Sequence, residues 1–464
     1  MKRVVIIGGG ITGLSAAFSL QNKIDEEQLP ASVTLVEASE RLGGKIETIH
    51  RDGFVIERGP DSYLGRKKSM TKLIEQLGME DNLVHNHTGQ AYILHGRKLH
   101  PMPEGAVMGI PTKLTPFISS GLFSMRGKAR AGLDLILPKS DAQGDQSVGA
   151  FFKRRLGNEV VENLIEPLLS GIYAGNIDRI SLQSTFPQFK NIESEYRSLI
   201  LGMKQTRPPK KKNHSSKGVF MTLKTGLSSL VEELERNLGK RMEIKKGTAV
   251  THLQKGENDY LLQLEDGSSI QADQVIVAAP GRKAGSFFKK EIRERIGNVP
   301  ATSVATIAMA FPASAIPHDL NGTGFVVSKK SPYTITACTW THQKWPHTTP
   351  TGSVLLRCYV GREHEQAIVE ESDAFILSKV LDDLNQIMGV QGKPDFYYVT
   401  RWRKAMPQYI VGHQENIAHV QSLLEKDYPG VQLIGASFDG IGLPDCVVAG
   451  EKAAERAVKM IRTC

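Results

Sequence analysis

Residues 1–20 read MKRVVIIGGGITGLSAAFSL, and the fold turns on how the glycines in this stretch are understood. Lys2 and Arg3 ahead of an apolar run follow the order of a secretory signal peptide or a short anchor. Gly8, Gly9, Gly10, Thr12 and Gly13 interrupt that run, and it is too short to span a bilayer. A second reading uses more of the residues. Val4 to Ile7 is a β-branched run, as in a strand buried on both faces. Gly8, Gly10 and Gly13 then form G-x-G-x-x-G, and Leu14 to Leu20 continues as a helix. Strand, glycine turn and helix are the context in which this motif binds a dinucleotide. The first glycine allows the tight turn, the second lets backbone approach a pyrophosphate, and the third brings helix and strand together. The phosphates then sit at the helix N-terminus, where free N–H groups and the helix dipole favour an anion.

The next strand, SVTLVEAS at 32–39, carries Glu37 at its end. A carboxylate there accepts hydrogen bonds from ribose hydroxyls, which selects FAD or NAD over NADP. No second G-x-G-x-x-G follows, so one dinucleotide is expected. Cys338, Cys358, Cys446 and Cys464 form no C-x-x-C and no zinc-like spacing with histidine. They predict no metal site and no dithiol reductase, and they suit a reducing cytoplasm. The 464 residues allow two or three domains. A net charge of +9 favours acidic ligands or anionic surfaces. No nucleic-acid motif accompanies it, and none is expected as partner. The run KQTRPPKKKNHSSKG at 204–218 reads as a solvated loop. No uninterrupted 18-residue apolar segment predicts a transmembrane helix, and the apolar–basic stretch at 107–130 allows at most loose membrane association.

Further features favour FAD over NAD. In EASERLGGKIETIHRDGFVIERGPDSYL, residues 37–64, the Gly43–Gly44 doublet stands between Arg41 and Lys45 as a second close approach to phosphate. Glu57 to Ser62 reads as a tight loop closing a short hairpin. A larger cofactor, with a ribityl chain and a tricyclic ring, accounts for these additions. Leu227 to Leu238 is an amphipathic helix, and the turn residues at 256–259 and 266–267 predict strands on either side. The strand QVIVAAP ends at Pro280. The C-terminal pattern is a strand to Gly435, a glycine loop and a helix from about 445 to 461. That helix N-terminus would stabilise an anionic reduced flavin.

The stretches GGGITGLSAA (8–17), ERLGGK (40–45), ERGPDS (57–62) and GASFDGIGLPDC (435–446) resemble FAD-dependent oxidases of the amine oxidase and protoporphyrinogen oxidase superfamily. EPLLSGIYAGN (166–176), STFPQF (184–189) and MPQYIVGH (406–413) resemble its porphyrinogen oxidase branch, nearest to the Gram-positive bacterial members that act on coproporphyrinogen III. Lys45 departs from the arginine common in the superfamily; charge is kept and bidentate bonding lost. The resemblance implies an α/β fold: a discontinuous Rossmann-like FAD-binding domain from 1–79, 217–295 and 425–464. It also implies a helical insert and part of the substrate domain at 80–216, and an α+β substrate domain at 296–424.

It implies non-covalent FAD held at the pyrophosphate by Gly8, Gly9, Gly10, Ile11, Thr12 and Gly13, and at the ribose by Glu37 and Ala38. Arg41, Gly44 and Lys45 would approach the ribityl–phosphate region, and Gly59, Pro60, Asp61 and Ser62 the ring. Val250 would meet the adenine; Trp402, Ala436, Ile441, Gly442 and Leu443 would complete the flavin contacts. On the substrate side Gly171, Ile172, Tyr173 and Ala174 resemble the family's substrate-facing segment, which implies backbone carbonyls accepting pyrrole N–H groups. Lys67, in GRKKS just after the ring-lining loop, is the candidate partner of a propionate, and Tyr359 is a candidate to face the tetrapyrrole. No catalytic side chain stands out, as suits chemistry carried by a cofactor. The implied reaction takes six electrons from a porphyrinogen, as hydrides to flavin N5, and passes them to oxygen as hydrogen peroxide, in heme biosynthesis beside the next enzymes of that route. Protoporphyrinogen IX and amines are alternative substrates, although the C-terminal loop lacks the aromatic pair that guides amines.

Overall fold

A computed structural model describes residues 1–87, 90–140, 144–206, 218–317 and 321–463. The chain forms two compact units, Met1–Asn86 with Val219–Val299 and Glu415–Cys464, and His87–Gly218 with Pro300–Gln414.

The first unit is built on a five-stranded parallel sheet. Its order is Glu243–Lys245, Ala31–Val36, Lys2–Ile7, Gln274–Val277 and Val431–Leu433. Strand Lys2–Ile7 shows why an unbroken apolar run is required. Val4 and Ile6 enter a core with Leu14, Leu20, Leu234 and Ala453, whereas Val5 and Ile7 enter another with Leu262, Ile292 and Val420. Helix Ile11–Glu27 crosses helix Leu443–Arg462 so closely that a Cβ on Gly450 would stand 2.6 Å from Thr12 O. An antiparallel sheet of Val250–Lys255, Tyr260–Leu264 and Ser269–Ala272 covers the other face.

The second unit carries a seven-stranded sheet, antiparallel except where Gly324–Val327 runs parallel to Ala91–His95. Helix Asp373–Met388 lays Ile376, Val380 and Leu384 on it, against Ile307, Met309 and Cys358. A helical region lies in the same unit. Phe151, Phe152, Phe186 and Phe189 interlock edge-on or tilted within it. Beside them Arg155 and Asp134 form an ion pair with 0% side-chain exposure. Asp134 also accepts from Ser198 Oγ at 2.6 Å and Ile200 N at 3.0 Å, so the buried charges are satisfied.

Three details differ from the sequence reading. The hairpin Thr48–Arg51/Phe54–Glu57 turns at Asp52–Gly53, whose φ angles of 49° and 80° suit a tight hairpin turn, so ERGPDS follows the hairpin instead of closing it. Residues 80–86 fold with the first unit because Leu83–His85 pairs with Phe220–Leu223. Residues 415–424 do so too, because Ile417, Val420 and Leu424 share a core with Val5 and Val275. Most of the basic run at 204–218 lies outside the described residues, as does Cys464; Cys338, Cys358 and Cys446 are buried free thiols. Among the described residues no helix is long and apolar enough to cross a membrane, and no cluster of metal-ligand side chains occurs.

Candidate functional site

The glycine turn of the first unit is a main-chain cradle. Gly8 has φ +108° and donates to Val36 O at 2.8 Å. A Cβ on Gly13 would overlap Gly8 O, so only glycine lets the helix start this close to the strand. Nothing lies within 4 Å of where a Cβ on Gly10 would stand: the ground above the helix end is open. The second glycine loop lies alongside. Gly43 N donates to Gly9 O at 2.8 Å, and Gly10 bridges Gly43. The N–H groups of Ile11, Thr12 and Gly13 have no intrahelical acceptor. An open recess, bare backbone and a helix N-terminus together fit a pyrophosphate.

Glu37 closes one end of this cradle. Its carboxylate accepts from Gly9 N at 2.6 Å, Ser39 N at 2.9 Å and Ser39 Oγ at 2.7 Å. A carboxylate offers about four lone-pair sites, which leaves room for a ribose hydroxyl. Ala38 is exposed beside it. Main-chain bonds from Thr248 N to Glu37 O and Gly247 N to Ser39 O bring the 245–250 segment, with buried Val250, along the same edge.

Two cations flank the second loop and behave differently. Arg41 donates to the carbonyls of Gly44 at 2.7 Å and Ile46 at 3.0 Å, so its guanidinium braces the loop. Lys45 is solvent-exposed, yet the surrounding protein pulls its amine below the usual lysine value; the nearby Cys446 thiol acts the other way. Exposure with desolvation marks a cation on the wall of a recess. Burial pushes the Cys446 thiol up, which leaves it inert.

Arg58 bonds Glu47 at 2.7 Å and Glu57 receives Leu227 N at 2.6 Å, which anchors the segment carrying Gly59, Pro60, Asp61 and Ser62. Farther along, Lys67 Nζ lies 2.6 Å from both oxygens of Asp445, and Ser69 Oγ donates to Pro444 O at 2.7 Å. The loop is thereby tied to the first turn of helix Leu443–Arg462, capped by Gly442 and entered from Ala436 and Ile441. The sequence points Lys67 at a propionate; here its charge is met by a carboxylate of its own chain.

The remaining candidates belong to the second unit. Trp402 is a half-buried strand residue opposite Val304. Tyr359 is half-buried on strand Ser353–Val360, with the Arg357 guanidinium 5.1 Å from its ring centre. Helix Glu166–Tyr173 ends with Gly171 exposed and Ala174 left-handed at φ 51°. The Tyr173 ring turns inward, edge-on to Phe186 at 5.7 Å. Its carbonyl accepts from Gln408 Nε2 at 2.6 Å. Packing and this bond withdraw Tyr173 from the exposed face that Gly171 keeps.

The family model described as flavin containing amine oxidoreductase matches residues 11–458. The chain belongs to this family. Among curated proteins it is 53% identical over 461 residues to the coproporphyrinogen III oxidase of Bacillus subtilis (strain 168), covering 98% of both chains. It is 44% identical to the coproporphyrinogen III oxidase of Staphylococcus aureus, with 98% of this chain and 99% of the relative covered. A crystal structure from Exiguobacterium sp. 255-15, of a protein provisionally assigned as a protoporphyrinogen oxidase, superposes with a TM-score of 0.89 at 40% identity over 100% of this chain and 99% of that one. As a member of the flavin containing amine oxidoreductases the chain is a flavoprotein enzyme of mixed α/β fold, and its cofactor is FAD. In that setting the cradle of Gly8–Gly13 and Gly43–Gly44 is the part whose form fits the FAD diphosphate. Asp445 and Gln408 do not stand out in the sequence. Asp445 is visible there only as an acid in a first helical turn, and Gln408 only as a letter within MPQYIVGH; their partners lie hundreds of positions away.

Proposed function

We propose that this enzyme oxidises coproporphyrinogen III to coproporphyrin III, with oxygen as acceptor. The observation that carries the reading is the 53% identity to a coproporphyrinogen III oxidase, extending over 98% of both chains. When bound, FAD supplies a two-electron sink that oxygen re-empties as hydrogen peroxide. Six hydrogens leave the porphyrinogen, so three oxygen molecules become three of peroxide.

The chain's own residues bind and orient. The backbone of Gly8, Gly9, Gly10, Ile11, Thr12 and Gly13 holds the diphosphate without a covalent bond. Glu37 and Ala38 take the ribose, and Val250 lies by the adenine. Lys45 neutralises phosphate charge from the recess wall, and Arg41 shapes the loop that lets it do so. Gly59 to Ser62, Ala436 and Ile441 to Leu443 are the first unit's candidates for the ring system, and Trp402 is a candidate from the second unit. Gly171, Ala174 and Tyr359 face the tetrapyrrole. A substrate propionate would share the Lys67 ammonium, which is 42% exposed and has three N–H donors, with Asp445. Buried free thiols support a cytoplasmic place for the enzyme.

The test is aerobic turnover by the purified, FAD-loaded protein with coproporphyrinogen III and with protoporphyrinogen IX, following porphyrin fluorescence and peroxide. We expect the larger kcat/KM for coproporphyrinogen III and three peroxides per porphyrin. A preference for protoporphyrinogen IX, or turnover of amines alone, overturns the reading.

A further inference from the structure

Helix Glu166–Tyr173 ends in a conformation that its residues do not favour. Ala174 is left-handed at φ 51°, which costs an L side chain about 1 kcal/mol. Such a residue persists where its surroundings over-determine it. Gln408 is a side chain that braces this turn, together with the main-chain bond from Ala174 N to Ser170 O at 2.7 Å. Its Nε2 donates to Tyr173 O at 2.6 Å and to Met406 O at 2.9 Å, and the residue is 4% exposed. Gly175 leaves the room: a Cβ there would overlap Gln408 Oε1. Main-chain bonds extend the seam, from Ser181 N to Tyr409 O at 2.7 Å and from Val411 N to Arg179 O at 3.0 Å. Tyr173 O is one of the terminal carbonyls that a helix leaves without an internal donor. With that carbonyl taken and the Tyr173 ring packed on Phe186, the exposed part of the last turn is Gly171 and Ile172. A helix C-terminus carries partial negative charge and suits N–H donors.

We propose that Gln408 is a positioning residue for the substrate: by holding the Tyr173 carbonyl it fixes the last helical turn, whose remaining carbonyls the family resemblance aims at pyrrole N–H groups. This rests on the porphyrinogen reading above. Gln408→Met keeps the length and burial of the side chain and removes the donor. Gly175→Ala displaces the amide without altering it. Gln408→Glu donates only when protonated, and burial beside a carbonyl raises the pH at which that happens.

The experiment compares these variants with wild type as FAD-loaded full chains, measuring KM and kcat for coproporphyrinogen III, the flavin spectrum and the thermal midpoint. Loss of one buried hydrogen bond predicts that Gln408→Met and Gly175→Ala raise KM about tenfold, with kcat within about twofold and the flavin spectrum unchanged. Gln408→Glu shows the same defect at alkaline pH, and its KM relative to wild type recovers as the pH falls. Variants that lower the midpoint but leave KM unmoved, or a Gln408→Glu defect independent of pH, overturn the proposal while wild-type turnover keeps the reaction assignment intact. A wild type inactive on coproporphyrinogen III sinks the reaction assignment and takes this proposal with it.

Discussion

In the first unit Gly9 meets the Glu37 carboxylate across 28 positions of sequence; in the second, Gln408 meets Tyr173 across 235. Both contacts hold backbone in place, but they are built from different material. The cradle is main chain laid bare by glycine, so its requirements are written where it stands: Gly13 because a Cβ would overlap Gly8 O, and Gly8 because its φ is +108°. The helix end is shaped by side chains arriving from elsewhere, and its local sequence shows only an ordinary helix stop. Sites made of backbone tolerate almost no side chain, whereas sites propped by a distant amide tolerate conservative exchange and fail by degrees.

The contrast can be broken at the support of the second unit. Arg155 and Asp134 are both fully buried, so Arg155→Met leaves a carboxylate uncompensated, and breaking such a pair costs about 3–5 kcal/mol. Its thermal midpoint should fall further than that of Gly13→Ala, Gln408→Met or Lys67→Met, while FAD bound to surviving folded protein stays equimolar. Loss of FAD in proportion to the melt would erase the distinction between the units. Gly13→Ala probes the opposite side. Forcing a Cβ into Gly8 O costs about 1–3 kcal/mol, so FAD affinity should fall on the order of 100-fold, read as flavin absorbance per protein after dialysis. Retained flavin would mean that the cradle is softer than its geometry indicates.

A smaller effect sharpens the comparison. Lys67 and Asp445 are 42% and 34% exposed, and exposed pairs contribute about 0–1 kcal/mol. Lys67→Met should barely shift the melt and should raise KM for coproporphyrinogen III by less than about threefold. A rise of tenfold or more would support the role of propionate partner that the sequence suggests for Lys67.

The sequence makes the cradle legible because each of its parts is local: a β-branched strand, three spaced glycines, a helix and an acid at the next strand end. It also points to the second glycine doublet, but not to the different uses of its two cations. Arg41 and Lys45 differ in what surrounds them, and that is set by the loop carbonyls in one case and by the recess in the other. The Gly–Pro pair of ERGPDS looks like the hairpin turn, while Asp52–Gly53 with two positive φ angles is the turn that forms. The segment limits near 80 and 424 shift for a similar reason. Leu83–His85 finds its strand partner at Phe220–Leu223, and the apolar face of helix His413–Asp427 serves a core begun at Val5. Neither partner is visible from a window of neighbouring residues.

The most direct measurement mixes the FAD-loaded enzyme with coproporphyrinogen III without oxygen and follows the oxidised flavin band at about 450 nm. The account predicts that the band bleaches, and that admitting oxygen restores it as coproporphyrin fluorescence and hydrogen peroxide appear. A band that stays at full height with coproporphyrinogen III, in protein that holds its flavin and is bleached by dithionite, would contradict it.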